Sequence, residues 1–191
     1  MNDKSEKKIY GIFIRSVLTR KVILSINEIG KNVKQNLEQK IVEKNEGRCV
    51  SEGFIRPNSV KIVHYSSGLI MNENVEFQTV FECMVSYPVE GQMMECTVKT
   101  ITKAGIHAEV VIEDGIVPVT VFVARDHHNT DKYFSTIKEN AVILIKVIGV
   151  RFELYDPYIC VIGNLINQSR MEDKQDERKK AKLSRLIVHE E

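Results

Sequence analysis

The chain has 191 residues, 43% of them hydrophobic, which suits one large or two small domains with buried cores and argues against disorder throughout. The 27 basic and 26 acidic residues leave a formal charge of +1, so any nucleic-acid contact must come from a local patch and not from a basic body. The opening MNDKSEKK is polar and no apolar run approaches the roughly 20 residues that span a bilayer, so we expect an intracellular protein with no secretory signal or membrane segment.

The first quarter of the chain predicts strands followed by one helix. The runs IYGIFI and VILSI are rich in isoleucine and valine, and each predicts a strand, with the charged stretch SVLTRK between them. From Ile29 onward apolar residues recur at every fourth position, which is typical of an amphipathic helix and places one at about residues 31–45. Asn32 and Gln35 could form a capping box at its start, and Gly47 could end it.

The helix is followed by short β-type runs that complete the first predicted domain. These runs are RCVSEGFI, VKIVHY and a longer segment from Val75 to Val85. In the longer segment apolar and mostly polar side chains alternate, so we expect one face of its sheet to be buried. Pro88 and Gly91 interrupt the pattern, because proline cannot donate to a strand ladder, and we place the first domain at residues 1–87.

The second half of the chain predicts a small barrel. Five short strand-like runs, MMECTVKTIT, IHAEVVI, VPVTVFVA, AVILIKVIGVRF and YICVIGNL, follow one another with turn residues between them, which is typical of a closed β-barrel at residues 88–167. The polar loop RDHHNTDKYF could hold one helical turn. The tail at residues 168–191 mixes both charge signs, so it is either solvated surface or an arm that touches RNA or a neighbouring subunit.

Signatures of catalysis, metals and cofactors are missing from the sequence. It has no Gly-rich phosphate loop, HExxH pair, GxSxG elbow or dinucleotide fingerprint. The four cysteines lie far apart without Cys-x-x-Cys spacing, so we interpret them as reduced and mostly buried. His127 and His128 are adjacent and cannot alone complete a metal shell, which favours surface histidines over an enzyme that uses them with Asp126. We therefore predict no catalytic residue, no metal and no cofactor.

Two ring-bearing residues in the barrel could form a site for nucleic acid. Barrels of the OB type bind single strands on exposed rings, with basic residues along the phosphates. His107 follows the turn Lys103-Ala104-Gly105, and Phe122 precedes Arg125, so neighbouring strands could expose both rings. Alternatively, Phe122 belongs to the core and His107 is an ordinary surface histidine, and the pattern alone does not choose.

The order of these segments resembles a known family. The blocks YPVEG, ECTVKTITKAGIHAEV, TVFVARDH, LIKVIGVRF and ICVIGNL resemble, in order and spacing, the strands of the stalk subunit shared by archaeal and eukaryotic RNA polymerases, which is called subunit seven in RNA polymerase II. The stretch INEIGKNVKQNLEQKIVEKNEGRCVSEGFI is similar to the N-terminal part of that family. The resemblance covers about residues 9–166.

The resemblance implies an α+β protein without an active site of its own. An N-terminal ribonucleoprotein-like tip domain, an antiparallel sheet plus helix, would dock on the core polymerase subunits at the clamp, and a five-stranded OB-type barrel would lie near the path of the nascent single-stranded RNA. A small helical partner, subunit four in RNA polymerase II or its archaeal counterpart, would clasp the side. The alternative is a free-standing single-stranded RNA-binding protein in translation or RNA decay.

The resemblance also implies candidate site residues. Carried over position by position, the RNA-contacting candidates are Lys103, His107, Phe122, Arg125, Arg151 and, on charge alone, Lys146, and the positions that match the docking domain are Gly30, Gly47, Gly53 and Phe54.

The sequence departs from the family pattern at several places. His107 stands where the family usually has phenylalanine, Glu90 replaces a usual lysine, and the segment from Ser66 to Val75 lacks the Pro-Gly of the tip loop. The loop from Arg125 to Tyr133 is shorter than in eukaryotic nuclear members. These departures suggest a diverged member, such as one encoded by a large DNA virus, so the expected compartment is the nucleus, or the cytoplasm and virion of a virus.

Overall fold

Two β-structures follow one another along the chain, and the computed structural model describes them over residues 11–112, 115–128 and 133–167. The expectations for the charged tail at 168–191 lie outside these ranges, as does part of the turn that begins at Glu113. The first sheet has strands β1 (Phe13–Ser25), β2 (Cys49–Val50), β3 (Gly53–Ile55), β4 (Lys61–Tyr65), β5 (Leu69–Met71) and β6 (Asn74–Ser86), with helix α1 at Val33–Asn45. The second has β7 (Met93–Ile101), β8 (Gly105–Val110), β9 (Val119–Ala124), β10 (Val142–Arg151) and β11 (Ile159–Ile166).

Strand β1 is one continuous strand of 13 residues, so the prediction of two strands separated by SVLTRK was wrong. The equally long β6 pairs with it in one antiparallel register, from Phe13 opposite Ser86 to Ser25 opposite Asn74. Charged side chains fit inside this ladder because alternate residues point to the outer face, where Lys21 pairs with Glu76 at 3.0 Å. Pairing with the long strand β6 therefore keeps β1 continuous through the charged stretch SVLTRK.

Helix α1 covers one face of the first sheet, and we call this sheet with its helix the tip. Leu37 and Ile41 are buried in the same cluster as sheet residues such as Leu24 and Phe81. The predicted capping box was wrong, because the Asn32 side chain makes no cap hydrogen bond. Gly47, with φ of +71°, directly follows the C-cap residue, which confirms where the helix ends.

Strand β6 confirms the alternation that its sequence predicts. Val75, Phe77, Phe81, Cys83 and Val85 are buried toward the helix, and the residues between them are partly or fully exposed, apart from the buried Thr79. On one edge β6 pairs with β1, and on the other it pairs in turn with β3, β4 and β5. Strand β6 is therefore the central strand of the tip sheet.

The second sheet closes into a barrel in which β10, β11, β9, β8 and β7 follow one another around the wall, and β7 pairs again with β10. Strands β9 and β11 run parallel, and the other neighbours are antiparallel. This is the OB-type arrangement, so the predicted fold class, a tip of antiparallel sheet plus helix followed by a five-stranded barrel, is confirmed. Inward residues such as Met94, Val98, Ile106, Val123 and Ile145 fill the core. Short 3-10 turns at Arg125–His128 and Phe134–Thr136 follow β9, one of them in the loop where a helical turn was predicted.

The tip and the barrel share a seam. The Cys49 N–H donates to the Asp156 carbonyl, and the Tyr155 N–H donates to the Cys49 carbonyl, both at 2.8 Å. Cys49 and Phe54 of the tip are fully buried in the same cluster as the barrel core. The two parts are thus joined by main-chain hydrogen bonds and by apolar packing. Within the described ranges no helix is long and apolar enough to cross a bilayer.

Candidate nucleic-acid interface

The outer wall of the barrel carries the predicted ring pair. His107 on β8 lies opposite Phe122 on β9, which lies opposite Ile162 on β11. Because the neighbours of each, such as Val121 and Val123, point into the core, all three side chains point outward. The two ring centroids are 4.8 Å apart, with the planes at 49°. The structure therefore places Phe122 on the wall and not in the core, beside an exposed His107.

Gly105 supports the ring of Phe122 from beneath. A Cβ atom at this position would lie 3.0 Å from the ring Cζ and 2.3 Å from the carbonyl oxygen of Val123. The preceding turn is fixed by the Thr102 N–H, which donates to the Gly105 carbonyl at 2.8 Å. Only glycine allows this close approach, so the backbone itself sets how the ring rests on the wall.

A groove of about 350 Å³ runs beside the ring pair, and we call it the ring groove. It is lined by Tyr158 and Ile162, two residues that the sequence did not indicate, which are 41% and 48% exposed. The alternation in ICVIGNL indicates that Ile162 points outward, but only the parallel pairing of β11 with β9 brings it beside Phe122. The groove thus offers two more apolar surfaces beside the paired rings.

Basic residues surround the ring groove unevenly. Lys99 lines it and lies 3.5 Å from Glu109. Arg151 lies opposite the groove residue Cys160, and its side chain is 84% exposed. Lys103 is exposed on the turn before β8.

Lys146 lies apart from the groove-lining residues. It is exposed on β10, between its pairing partners Asn164 and Met93. The cations that adjoin the groove are therefore Lys99 within it and Arg151 at its edge.

Arg125 does not line the ring groove and is held by the turn before β8. Its Nε donates to the Lys103 carbonyl at 2.9 Å and its Nη2 to the Thr102 carbonyl at 3.2 Å. The guanidinium also lies 5.0 Å from the centroid of the Phe134 ring. These contacts tie the turn that carries Lys103 to the segment after β9, and the RNA contact expected for Arg125 stays a prediction.

Of the two adjacent histidines, His128 is packed against the protein and His127 faces solvent. The His128 ring stacks on Phe134 at 5.5 Å, and its Nε2 accepts a hydrogen bond from the Leu165 N–H at 3.2 Å. His127 is exposed. No three His, Cys, Asp or Glu side chains in the described part of the chain are grouped so as to hold a metal ion. His128 thus helps to close the barrel end.

Three of the four cysteines are buried, as predicted, and Cys160 is exposed at the groove. Burial raises the pKa of Cys49 and of Cys83 to about 11, and that of Cys96 to about 12. Because the thiolate is the reactive form, these three thiols are inert at neutral pH.

The residues matched to docking occupy different environments. Gly30 is exposed, and a Cβ there would meet nothing within 4 Å. Gly53, with φ of +124°, is buried where a Cβ would lie 2.3 Å from the Ser86 carbonyl oxygen. Phe54 is fully buried at the seam. Gly53 and Phe54 therefore cannot touch a docked protein directly, and their place in the pattern reflects packing.

The exposed apolar surface of the tip lies elsewhere. Leu69, Ile70 and Met71, which form β5, are 62%, 71% and 52% exposed. Because neighbours along a strand point to opposite faces, Ile70 is exposed on one face and Leu69 and Met71 on the other, and exposed apolar side chains are typical of contact sites. No sequence pattern indicated a role for these three residues.

Comparison with known proteins gives the relatives of the chain. It is 25% identical over 158 residues to DNA-directed RNA polymerase II subunit RPB7 of Glycine max, and 26% identical over the same length to DNA-directed RNA polymerase II subunit 7 of Arabidopsis thaliana. Both alignments cover 74% of this chain and 86% of the relative. A "Putative DNA-directed RNA polymerase subunit" of Acanthamoeba polyphaga mimivirus is 22% identical over 179 residues, which cover 83% of this chain and 84% of the relative. No protein-family model matches the chain.

Proposed function

We propose, from the premise that this chain belongs to the stalk-subunit family of multisubunit DNA-directed RNA polymerases, that its tip docks on the polymerase core at the clamp and its barrel contacts the nascent RNA. The chain itself is an RNA polymerase subunit, and the proposal concerns what each half does. In this role it is an accessory subunit, and catalysis belongs to the core that it joins.

The ring pair on the outer wall is the observation that carries the RNA-binding half of the proposal. His107 and Phe122 lie 4.8 Å apart on neighbouring strands of an OB-type barrel, and the groove beside them is open. Stacking on such rings tolerates any base and contributes about 1–3 kcal/mol per base. A subunit that meets transcripts of every sequence needs this kind of contact. Lys99 and Arg151 are paired with Glu109 and Glu153 on the exposed surface, and each would add salt-dependent attraction to a phosphate by exchanging its carboxylate partner for it.

The exposed strand β5 supports the docking half. Leu69 and Met71 on one face of β5 and Ile70 on the other leave large apolar side chains in solvent, and a protein partner that covers them would remove this surface from water. A small helical protein of the subunit-four type is proposed as the second protein of the stalk. The compartment follows the polymerase, which is nuclear for a cellular enzyme and cytoplasmic or virion-associated for a viral one; relatives of both origins are known.

Affinity purification of the tagged full chain from its native source tests the proposal. Mass spectrometry should find the large polymerase subunits and one small helical protein. Transcripts that carry a photoreactive uridine should crosslink to peptides containing Phe122 or Tyr158. Recovery of RNA without any large polymerase subunit would instead support the free-standing RNA-binding protein.

A further inference from the structure

The tip carries a second concave surface, which we call the tip cleft. It has a volume of about 510 Å³ and lies between the segment that leads into α1 and the loop between β4 and β5. Its apolar lining includes Ile26, Ile29, Val33, Tyr65, Ile70 and Phe77. Ile26 is 52% exposed, so apolar surface is open to solvent here within the described part of the chain.

The floor of the tip cleft is preformed. Gly68 rests so closely on the floor that a Cβ atom there would lie 2.4 Å from Val75 Cγ1 and 2.9 Å from Phe77 Cζ. The Tyr65 ring packs edge-on against Phe77, with centroids 6.2 Å apart. At Gly30, by contrast, a Cβ would meet nothing within 4 Å, so the mouth is open. A ligand would therefore enter a shaped site at little cost in ordering the protein.

The charge of the tip cleft has one sign. Its charged lining residues are Lys31 and Lys34, both exposed, and neither forms an ion pair with an acidic residue in the described ranges. The nearby Glu28 is already engaged, since its carboxylate accepts from the Ser25 N–H at 2.8 Å and lies 3.2 Å from Lys40. The rim is thus positive beside an apolar floor.

We propose that the tip cleft receives a segment of a polymerase core subunit whose apolar side chains are flanked by carboxylates. This inference rests on the proposed function and adds the chemistry of the partner. Aliphatic side chains on the floor and the two lysines on the rim match an apolar anchor with acidic neighbours. Nucleic acid fits poorly, because isoleucine and valine offer no plane for bases and the ring of Tyr65 is packed on Phe77.

Recovery of large polymerase subunits by tagged full-length variants tests the inference. Lys31→Glu with Lys34→Glu should lower recovery at least tenfold relative to the natural chain, and Ile70→Asp should do the same. Arginine at both lysine positions should preserve recovery because it keeps the charge. As a matched control, Lys44→Glu with Lys138→Glu reverses two lysines outside the cleft and should leave recovery within twofold.

The outcomes separate the two proposals. If the natural chain recovers the polymerase and the cleft variants recover it equally well, the cleft inference is overturned and the proposed function stands. If the natural chain recovers no polymerase, the proposed function fails, and this inference with it. Thermal melts of every variant exclude unfolding as the cause of a loss.

Discussion

The phenyl ring of Phe122 rests on the backbone at Gly105, so closely that a Cβ atom at 105 would lie 3.0 Å from the ring Cζ. The glycine therefore works as part of the ring groove although it has no side chain of its own. Because the ring of Phe122 on β9 rests on Gly105, the turn before β8 and this ring form one structural unit.

Substitution Gly105→Ala should displace the ring. The new methyl group would also press on the Val123 carbonyl oxygen, so we expect a loss of about 1–3 kcal/mol in stability together with weaker RNA binding. Denaturant unfolding and fluorescence anisotropy with a single-stranded RNA oligonucleotide measure the two effects. Gly149→Ala is the control, because a Cβ there meets nothing within 4 Å. Equal behaviour of the two variants would contradict the role of Gly105.

Truncation of either ring should weaken binding of single-stranded RNA. Phe122→Ala and His107→Ala each remove a stacking surface worth about 1–3 kcal/mol, which corresponds to a loss of roughly 5- to 150-fold in affinity. Anisotropy titration at fixed salt concentration measures the change in affinity for the RNA. Val142→Ala, which trims an exposed apolar side chain on β10 outside the groove, should change affinity little. Unchanged affinity in both ring variants would remove the site and leave the fold intact.

One cysteine should react with a thiol reagent in the native protein. Burial raises the pKa of Cys49 and Cys83 to about 11 and that of Cys96 to about 12, so at pH 7 their thiols stay protonated and inaccessible, while Cys160 is exposed. Intact-mass spectrometry after treatment with N-ethylmaleimide should show one adduct, and four after denaturation. Cys160→Ser should abolish the native adduct. A second fast adduct would contradict the burial.

Truncation of Phe54 should loosen both halves of the molecule. Phe54→Ala leaves a cavity at the seam and should cost about 3–5 kcal/mol. Hydrogen exchange followed by mass spectrometry should show faster exchange in β2 and β3 and also in barrel strands, because the side chain belongs to the barrel cluster. Phe54→Leu is a milder control. Faster exchange confined to the tip would show that the halves unfold independently.

Substitution Thr79→Val should stabilise the protein. The Thr79 hydroxyl is fully buried on β6 and has no hydrogen-bond partner among the described residues. A methyl group of similar size removes an unsatisfied polar group, and we expect a gain of about 1 kcal/mol in the free energy of unfolding. The matched control is Thr19→Val on β1, which is exposed and should change stability by less than about 0.5 kcal/mol. Destabilisation by Thr79→Val would indicate a bond partner for the hydroxyl.

The sequence predicted those elements whose pattern is local. Alternation from Val75 to Val85, the four-residue spacing of α1 and the stop at Gly47 depend on near neighbours along the chain, and the structure confirms all three. The continuity of β1 was missed because it depends on β6, some 60 residues away. The prediction for β1 thus failed because pairing distant in sequence decides, whereas the capping box at Asn32 failed locally.

In the candidate site, too, some features depend on local sequence pattern and others on pairing between strands that are distant in sequence. The sequence left open whether Phe122 lies on the wall or in the core, and the pairing of β9 with β11 that adds Ile162 and Tyr158 is not visible in any segment. Arg125 was assigned from its position in the family pattern, which does not reveal that its guanidinium donates to two carbonyls of the turn before β8; its RNA contact stays a prediction. A family pattern locates positions, and the contacts made there depend on three-dimensional neighbours.

The reciprocal main-chain bonds at the seam allow little hinge motion, since Cys49 uses both its N–H and its carbonyl in them. Bending there would break two bonds and open an apolar interior at once. Under the proposed function, the tip and the ring pair would keep a fixed separation, so an RNA strand would reach the rings at one distance from the docking site. On that proposal, binding of a transcript would depend on its length and on the geometry of docking, because the seam leaves the rings little freedom to move toward the RNA.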